Sequence, residues 1–195
     1  MSLSIRLKKI LLDHEREACQ RYESEATMLH ACFQGRSEDF RFHRGFESFR
    51  MRCAADIAAI DSAIGKFEVV GEGSVFSGHG VGIGVIGSLQ GEPAKLVGFD
   101  YCYPGYISTT DERSVAEVKF IEARARQGTF PVLLEIRLRP GMAVLDFGQV
   151  TTSVGEFEYL VGRRQRLVIV EAKHYALRGV EDPVLHLVLE AGLVK

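Results

Sequence analysis

Val154-Gly155-Glu156-Phe157-Glu158-Tyr159-Leu160-Val161 sets two carboxylates two residues apart at the head of an apolar run. Along a strand, residues i and i+2 share a face, so the pattern predicts Glu156 and Glu158 side by side with Phe157 turned the other way. Like charges so close disfavour each other's ionisation and are costly to desolvate, which a segment selected for stability alone has little reason to accept. Chemistry can use such a pair. One carboxylate steadies a developing positive charge or holds a hydroxyl, while the other orients or deprotonates a nucleophile. The same letters also fit an edge strand with both glutamates in water.

Upstream lies Tyr103-Pro104-Gly105-Tyr106-Ile107-Ser108-Thr109-Thr110-Asp111, followed by Glu112-Arg113-Ser114-Val115-Ala116-Glu117-Val118-Lys119-Phe120, which reads as a capped helix. After it, the stretch from Phe130 to Phe147 reads as paired strands. An aromatic-x-Ser-Thr-Thr segment before a helix, then two strands, then Glu-x-Glu resembles the ADP-ribosyltransferase family. Within that family it is similar to the Arg/Ser-Thr-Ser/Glu-x-Glu branch of bacterial toxins and effectors. The resemblance runs from about Val69 to Leu193, and it makes the loop from Gly148 to Gly155 the turn that precedes the catalytic glutamate and helps read the target.

Composition is compatible with this without suggesting it. At 195 residues, with 46% hydrophobic and 26% charged residues, the chain can bury a sizeable core. A net charge of -2 gives no electrostatic footprint for nucleic acid or an anionic membrane, and neither is expected as a partner. Cys19, Cys32, Cys53 and Cys102 lack any C-x-x-C spacing and read as reduced, mostly buried thiols, with no metal site implied. The opening run from Met1 to Asp13 is too short and too soon charged for a signal peptide or a membrane span. The expectation is a protein made in the cytoplasm, compatible with secretion or injection by a route that uses no cleaved signal.

Two textures follow one another. From Ser4 to about Phe33, and from Gly45 to Ile64, apolar residues keep helical spacing; Phe46, Phe49, Cys53, Ile57, Ile60 and Ile64 advance by three or four. Beyond Lys66 come short β-branched runs, abundant glycine and alternating polarity. The expected class is α+β, with a helical region over 1–66 packed as one compact unit on a β-rich core over 67–195. From the resemblance, that core is a split, mainly antiparallel sheet of ADP-ribosyltransferase type.

Gly82, Gly84 and Gly87 spell G-x-G-x-x-G, but Gly91 and Pro93 follow before a helix can form, so a dinucleotide fingerprint of the parallel-sheet kind is not supported. The same segment begins with Val75-Phe76-Ser77-Gly78-His79-Gly80, in the place where the family has an aromatic-Arg-Gly triplet that supplies a cation to the dinucleotide phosphates. Here the arginine is missing. Matching the aromatic residue and first glycine puts Ser77 in its place; matching the last glycine puts His79-Gly80 there, similar to the family's other branch, whose His-Gly pair grips a ribose. Phe42-His43-Arg44-Gly45 contains Arg-Gly but lies in the helical region.

The resemblance implies NAD as substrate, no metal, and transfer of ADP-ribose to a side chain of a target protein, arginine favoured. It implies Glu158, Glu156 and Ser108 as catalytic residues, and Phe76, Ser77, Gly78, His79, Gly80, Tyr106 and Thr109 around NAD. Glu158 would stabilise the oxocarbenium-like centre, Ser108 would orient it, and Glu156 would hold the incoming guanidinium. Thr109 and Thr110 would cap the next helix, and Phe157, Tyr106 and Phe76 read either as stacking partners of nicotinamide or as core. Two other readings stay open: an NAD glycohydrolase on the same fold, and an inactive module that binds a partner, which the missing arginine favours.

Overall fold

The computed structural model describes residues 3–81, 91–101, 103–125, 129–151, 158–163 and 165–192, with backbone alone at Ser37, Val81, Phe120, Arg124 and Glu158. Helical spacing from Ser4 predicts a helix at the outset. The chain instead begins with strand β1 (Ile5–Leu7), antiparallel to β2 (Phe67–Val69), because Ile5 and Leu7 pair with Val69 and Phe67 while Arg6 meets Glu68 across the outer face. Helix α1 (Asp13–Phe33) starts later, where Glu15 reaches back to accept from the Leu12 amide at 2.7 Å. Helix α2 (Phe46–Ile64) starts at Gly45, whose φ of 93° suits glycine alone.

The remaining strands are β3 (Gly73–Val81), β4 (Asp100–Tyr101), β5 (Ile107–Thr110), β6 (Phe130–Leu138), β7 (Val144–Asp146), β8 (Glu158–Val161), β9 (Leu167–Tyr175) and β10 (Val184–Ala191). Among the described residues they form an eight-stranded sheet in the order β4-β9-β10-β6-β3-β5-β8-β7. All neighbours are antiparallel except β10 and β6. The sheet is split. β3 pairs with β6 from Gly73 opposite Leu138 to Val81 opposite Phe130, yet it meets β5 at a single pair, Phe76 opposite Thr110. The segment from Phe130 to Phe147, read as paired strands, is divided by this split: β6 lies inside the larger half and β7 at the far edge of the smaller one.

Alternation along β6 explains the layering. Val132, Leu134, Ile136 and Leu138 join Val75, Val144, Val161 and Leu187 in the core between the two halves. Leu133 points the other way, under Ala116 and Ile121 of α3 (residues 113–125), whose middle turns, Ala116–Ile121, are wound as a π-helix. Helices α1 and α2 cover the smaller half, where Tyr22, Phe49 and Ile60 pack against Leu145, Phe147 and Leu160. Burial of each such large apolar side chain contributes on the order of 2 kcal/mol. No helix among the described residues is long and apolar enough to cross a membrane.

Candidate active site

Where β3 and β5 diverge, the C-terminal half of α1 faces the gap and leaves a cleft of about 430 Å³. Thr27 and His30 of α1, Arg36 just beyond it, Ser77 and His79 of β3, and Ser108 of β5 line it, with Tyr103 at its edge. Its size and its mixture of apolar wall and convergent polar groups suit a small ligand. A hollow of about 580 Å³ lies at the start of β3, lined by Glu72, Ser74, Arg137, Arg139 and Glu190. There the charges neutralise each other: Arg137 and Arg139 both pair with Glu190, and Arg137 also pairs with Glu171. It offers a ligand little charge that is not already matched.

In the cleft the polar groups are tied across the split. Ser77, 4% exposed, donates from Oγ to the Ser108 carbonyl at 2.6 Å and lies 3.0 Å from His79 Nε2. A hydroxyl has one proton and a carbonyl only accepts, so His79 Nε2 carries the hydrogen of the second bond. A side chain thus bridges β3 and β5 where the ladder between them has lapsed. Ser108 Oγ lies 3.0 Å from the Tyr22 hydroxyl, which lies 3.0 Å from His30 Nε2. His30 Nδ1 is 3.1 Å from the Tyr103 hydroxyl, and the Tyr103 ring meets His79 edge-on at 5.6 Å. Among the described residues no three His, Cys, Asp or Glu side chains converge as metal ligands.

No protein-family model matches the sequence, and no curated protein matches it either. Solved structures do. Plx2a, an ADP-ribosyltransferase toxin from Paenibacillus larvae, is 16% identical and superposes with a TM-score of 0.68 over 94% of this chain and 88% of its own. An ADP-ribosyltransferase from Clostridium botulinum is 16% identical, with a TM-score of 0.63 over 94% of this chain and 89% of its own. This is the ADP-ribosyltransferase fold. The Vis toxin from Vibrio splendidus, also 16% identical, superposes at 0.68 over 94% of this chain and 75% of its own, and the Vis ADP-ribosyltransferase is also known in complex with agmatine.

On this ADP-ribosyltransferase scaffold, Ser77, Gly78, His79 and Ser108 come together in the cleft. Glu158 opens β8 in register with Thr110, two residues along β5 from Ser108. Glu156 and Phe157 lie outside the described residues, as do Gly82, Gly84, Gly87 and Cys102. Several expected ligand contacts stand elsewhere. Phe76 alternates to the opposite face of β3 and packs with Ala116, Ile121 and Leu133 under α3. Gly80 stands further along β3, opposite Pro131. Tyr106 is fully buried, its one hydroxyl proton shared between the Ile57 carbonyl at 3.0 Å and Asp61 at 2.8 Å; burial, and then Asp61, push its phenol well above the ordinary tyrosine range. It braces the helices and does not face the cleft.

Thr109 is 2% exposed and donates to the Tyr159 carbonyl at 2.9 Å, so it secures β5 to β8 where a helix cap was expected. Thr110 does not cap the helix either: it accepts from the Glu112 amide at 3.1 Å in the turn before α3, whose N-cap residue, Glu112, makes no side-chain cap bond. Arg44 of the Arg-Gly pair is exposed beside Gly45 at the head of α2, away from the cleft lining. Sequence reasoning missed Tyr22, His30 and Arg36. Tyr22 and His30 stand eight residues apart, about two turns, so they share a broad helix face and are absorbed into the apolar periodicity of α1. Arg36 follows α1 in a polar connection, and only the fold brings it to the cleft; its Nε donates to Asp39 at 2.9 Å.

Proposed function

We propose that this chain is an NAD-dependent mono-ADP-ribosyltransferase that modifies a side chain of a target protein, arginine favoured, in the manner of a bacterial or phage toxin or effector. The observation that carries the reading is Ser108: on an ADP-ribosyltransferase fold, the serine of the aromatic-x-Ser-Thr-Thr segment opens into the polar cleft at the split, while Glu158 stands in register two residues along the same strand pair. Ser77 and His79 offer donors and acceptors for ribose hydroxyls, and the Arg36 guanidinium, paired with Asp39 in an exposed bridge that a pyrophosphate can compete for, offers charge in place of the missing motif arginine.

In the reaction, the bond between nicotinamide nitrogen and ribose breaks, and its electron pair leaves with nicotinamide. The Glu158 carboxylate opposes the positive charge on the ribose, as carboxylates do in glycoside cleavage. Ser108 orients that carboxylate or the ribose. Glu156 holds the incoming guanidinium with two acceptors and takes its proton as the new bond forms. The complex of Vis with agmatine, itself a guanidine, supports arginine as the acceptor.

Incubation with NAD labelled on the adenylate half, with and without cell lysate, tests this. Label on a protein together with released nicotinamide is the expected result. Nicotinamide release without protein label gives the glycohydrolase reading instead. Neither product gives a binding module that kept the fold, the reading that the missing motif arginine favours.

A further inference from the structure

We propose that Tyr22 and His30 of α1 are positioning residues that set the direction in which the Ser108 hydroxyl donates, through a relay running Tyr103–His30–Tyr22–Ser108. The proposal rests on Ser108 being part of the NAD site. Both nitrogens of His30 face tyrosine hydroxyls, Tyr22 at 3.0 Å from Nε2 and Tyr103 at 3.1 Å from Nδ1. A neutral imidazole donates from one nitrogen and accepts at the other, so the two tyrosines play opposite roles.

If Nε2 accepts, Tyr22 gives its proton to His30, and the 3.0 Å contact with Ser108 is filled by the serine's own proton. Ser108 then offers the cleft only lone pairs. If Nε2 donates, Tyr103 donates to Nδ1 and the Tyr22 proton turns to Ser108. The serine proton is then released to serve an acceptor in the cleft, such as a carboxylate or a ribose oxygen. Only the second arrangement suits a serine that must orient a carboxylate, and an imidazolium, donating from both nitrogens, enforces the same direction at Tyr22. Water cannot readily stand in for the phenol, since Tyr22 is 3% exposed. Its ring is held independently of its hydroxyl, stacked on Phe147 at 6.0 Å and edge-on to Tyr106 at 5.9 Å.

Two measurements test the relay. In the NAD-free protein, long-range proton–nitrogen NMR of the His30 ring reads the tautomer directly. A proton on Nε2 is expected, and a ring protonated only at Nδ1 overturns the proposal whether or not the protein turns over NAD. Kinetics of NAD turnover read the consequence. Tyr22→Phe keeps the ring packing and should lower kcat about tenfold while KM for NAD moves less than twofold. Because Tyr22 acts through Ser108, adding Tyr22→Phe to Ser108→Ala should cost nothing further. Additive losses, or a loss confined to KM, would overturn the relay. A parent protein without any NAD turnover would instead remove the transferase reading and leave the tautomer to decide.

Discussion

Asp61 on α2 and Arg163, in the turn after β8, form a two-pronged ion pair across 102 residues of sequence. The arginine Nε lies 2.9 Å and 3.0 Å from the two carboxylate oxygens, and Nη2 also reaches Oδ2. Tyr106, which leads into β5, donates to the same carboxylate at 2.8 Å, and the guanidinium lies 5.6 Å from the centre of the Phe33 ring at the end of α1. Both helices, the strand of Ser108 and the strand of Glu158 therefore meet at one partly buried charge pair. The helical layer is part of the site's frame, not a cap laid over it.

Asp61→Asn keeps the shape and removes the charge. Arg163 would be left with 15% of its side chain exposed and no counter-charge, a change that costs several kcal/mol for a fully buried pair. Asp61 is 35% exposed, so solvent screening reduces the expected loss to about 1–2 kcal/mol. Denaturant unfolding should show a lower midpoint at unchanged slope. A midpoint equal to the parent's would mean that the Asp61–Arg163 pair adds nothing to the hold between the helices and the strands.

Much of this frame is legible in the sequence because each strand carries its own alternation, and because aromatic-x-Ser-Thr-Thr and Glu-x-Glu fall in the family's order. Partner choice is another matter. The letters from Phe130 to Phe147 announce two strands, yet nothing local says that β6 pairs with β3 and β10 while β7 pairs with β8 across the split. β1 hides because three residues cannot establish a period against a helical background. Tyr22 and His30 hide for the opposite reason, since a strong helical period absorbs polar aromatics into the presumed core. The segment from Val75 to Gly80 shows that an arginine is missing; that Arg36 reaches the same cleft depends on contacts between elements far apart in sequence.

Glu15 provides a stability test with a pH signature. It is fully buried, and its carboxylate accepts from Lys66 at 2.5 Å, from Ser62 at 2.7 Å and from the Leu12 amide at 2.7 Å. Burial alone pushes its pKa up, but Lys66, Ser62 and the amide together outweigh it and hold the group below its ordinary 4.5. A carboxylate with a depressed folded pKa contributes stability in full above its unfolded pKa, and loses it as pH falls through the folded value. Glu15→Gln should therefore cost about 3 kcal/mol near neutral pH, and the gap from the parent should narrow as pH falls below about 4.5. A gap in melting temperature that stays constant from pH 7 to pH 3 would show that the carboxylate's charge is not what holds α1 to α2.

Ser77 and His79 should separate into different phenotypes. Ser77→Ala strands the Ser108 carbonyl across the split, and leaving a buried polar group unpaired costs about 1–3 kcal/mol. The variant should melt lower. His79→Ala removes a group that donates to Ser77 and lines the cleft, so it should chiefly raise the NAD dissociation constant, about tenfold for one lost hydrogen bond. Calorimetric titration alongside thermal melts distinguishes them. If Ser77→Ala weakens NAD binding more than His79→Ala at equal stability, the serine takes over the arginine's role at the phosphates.

On the proposed reading, the two glutamates of the opening motif divide the reaction between them. Glu158 begins β8 opposite Thr110, two residues from Ser108 along β5. Glu158→Gln preserves size and hydrogen bonding but removes the negative charge, so release of nicotinamide should fall by about two to three orders of magnitude while the melting temperature holds. Glu156→Gln should leave nicotinamide release with water as acceptor largely intact, because water needs less orientation than a guanidinium, and should abolish label transfer to protein. Measuring both activities on both variants gives the answer. Equal loss of hydrolysis and transfer in Glu156→Gln would mean that both carboxylates act on the ribose, and turnover of Glu158→Gln within a few-fold of the parent would take Glu158 out of the chemistry.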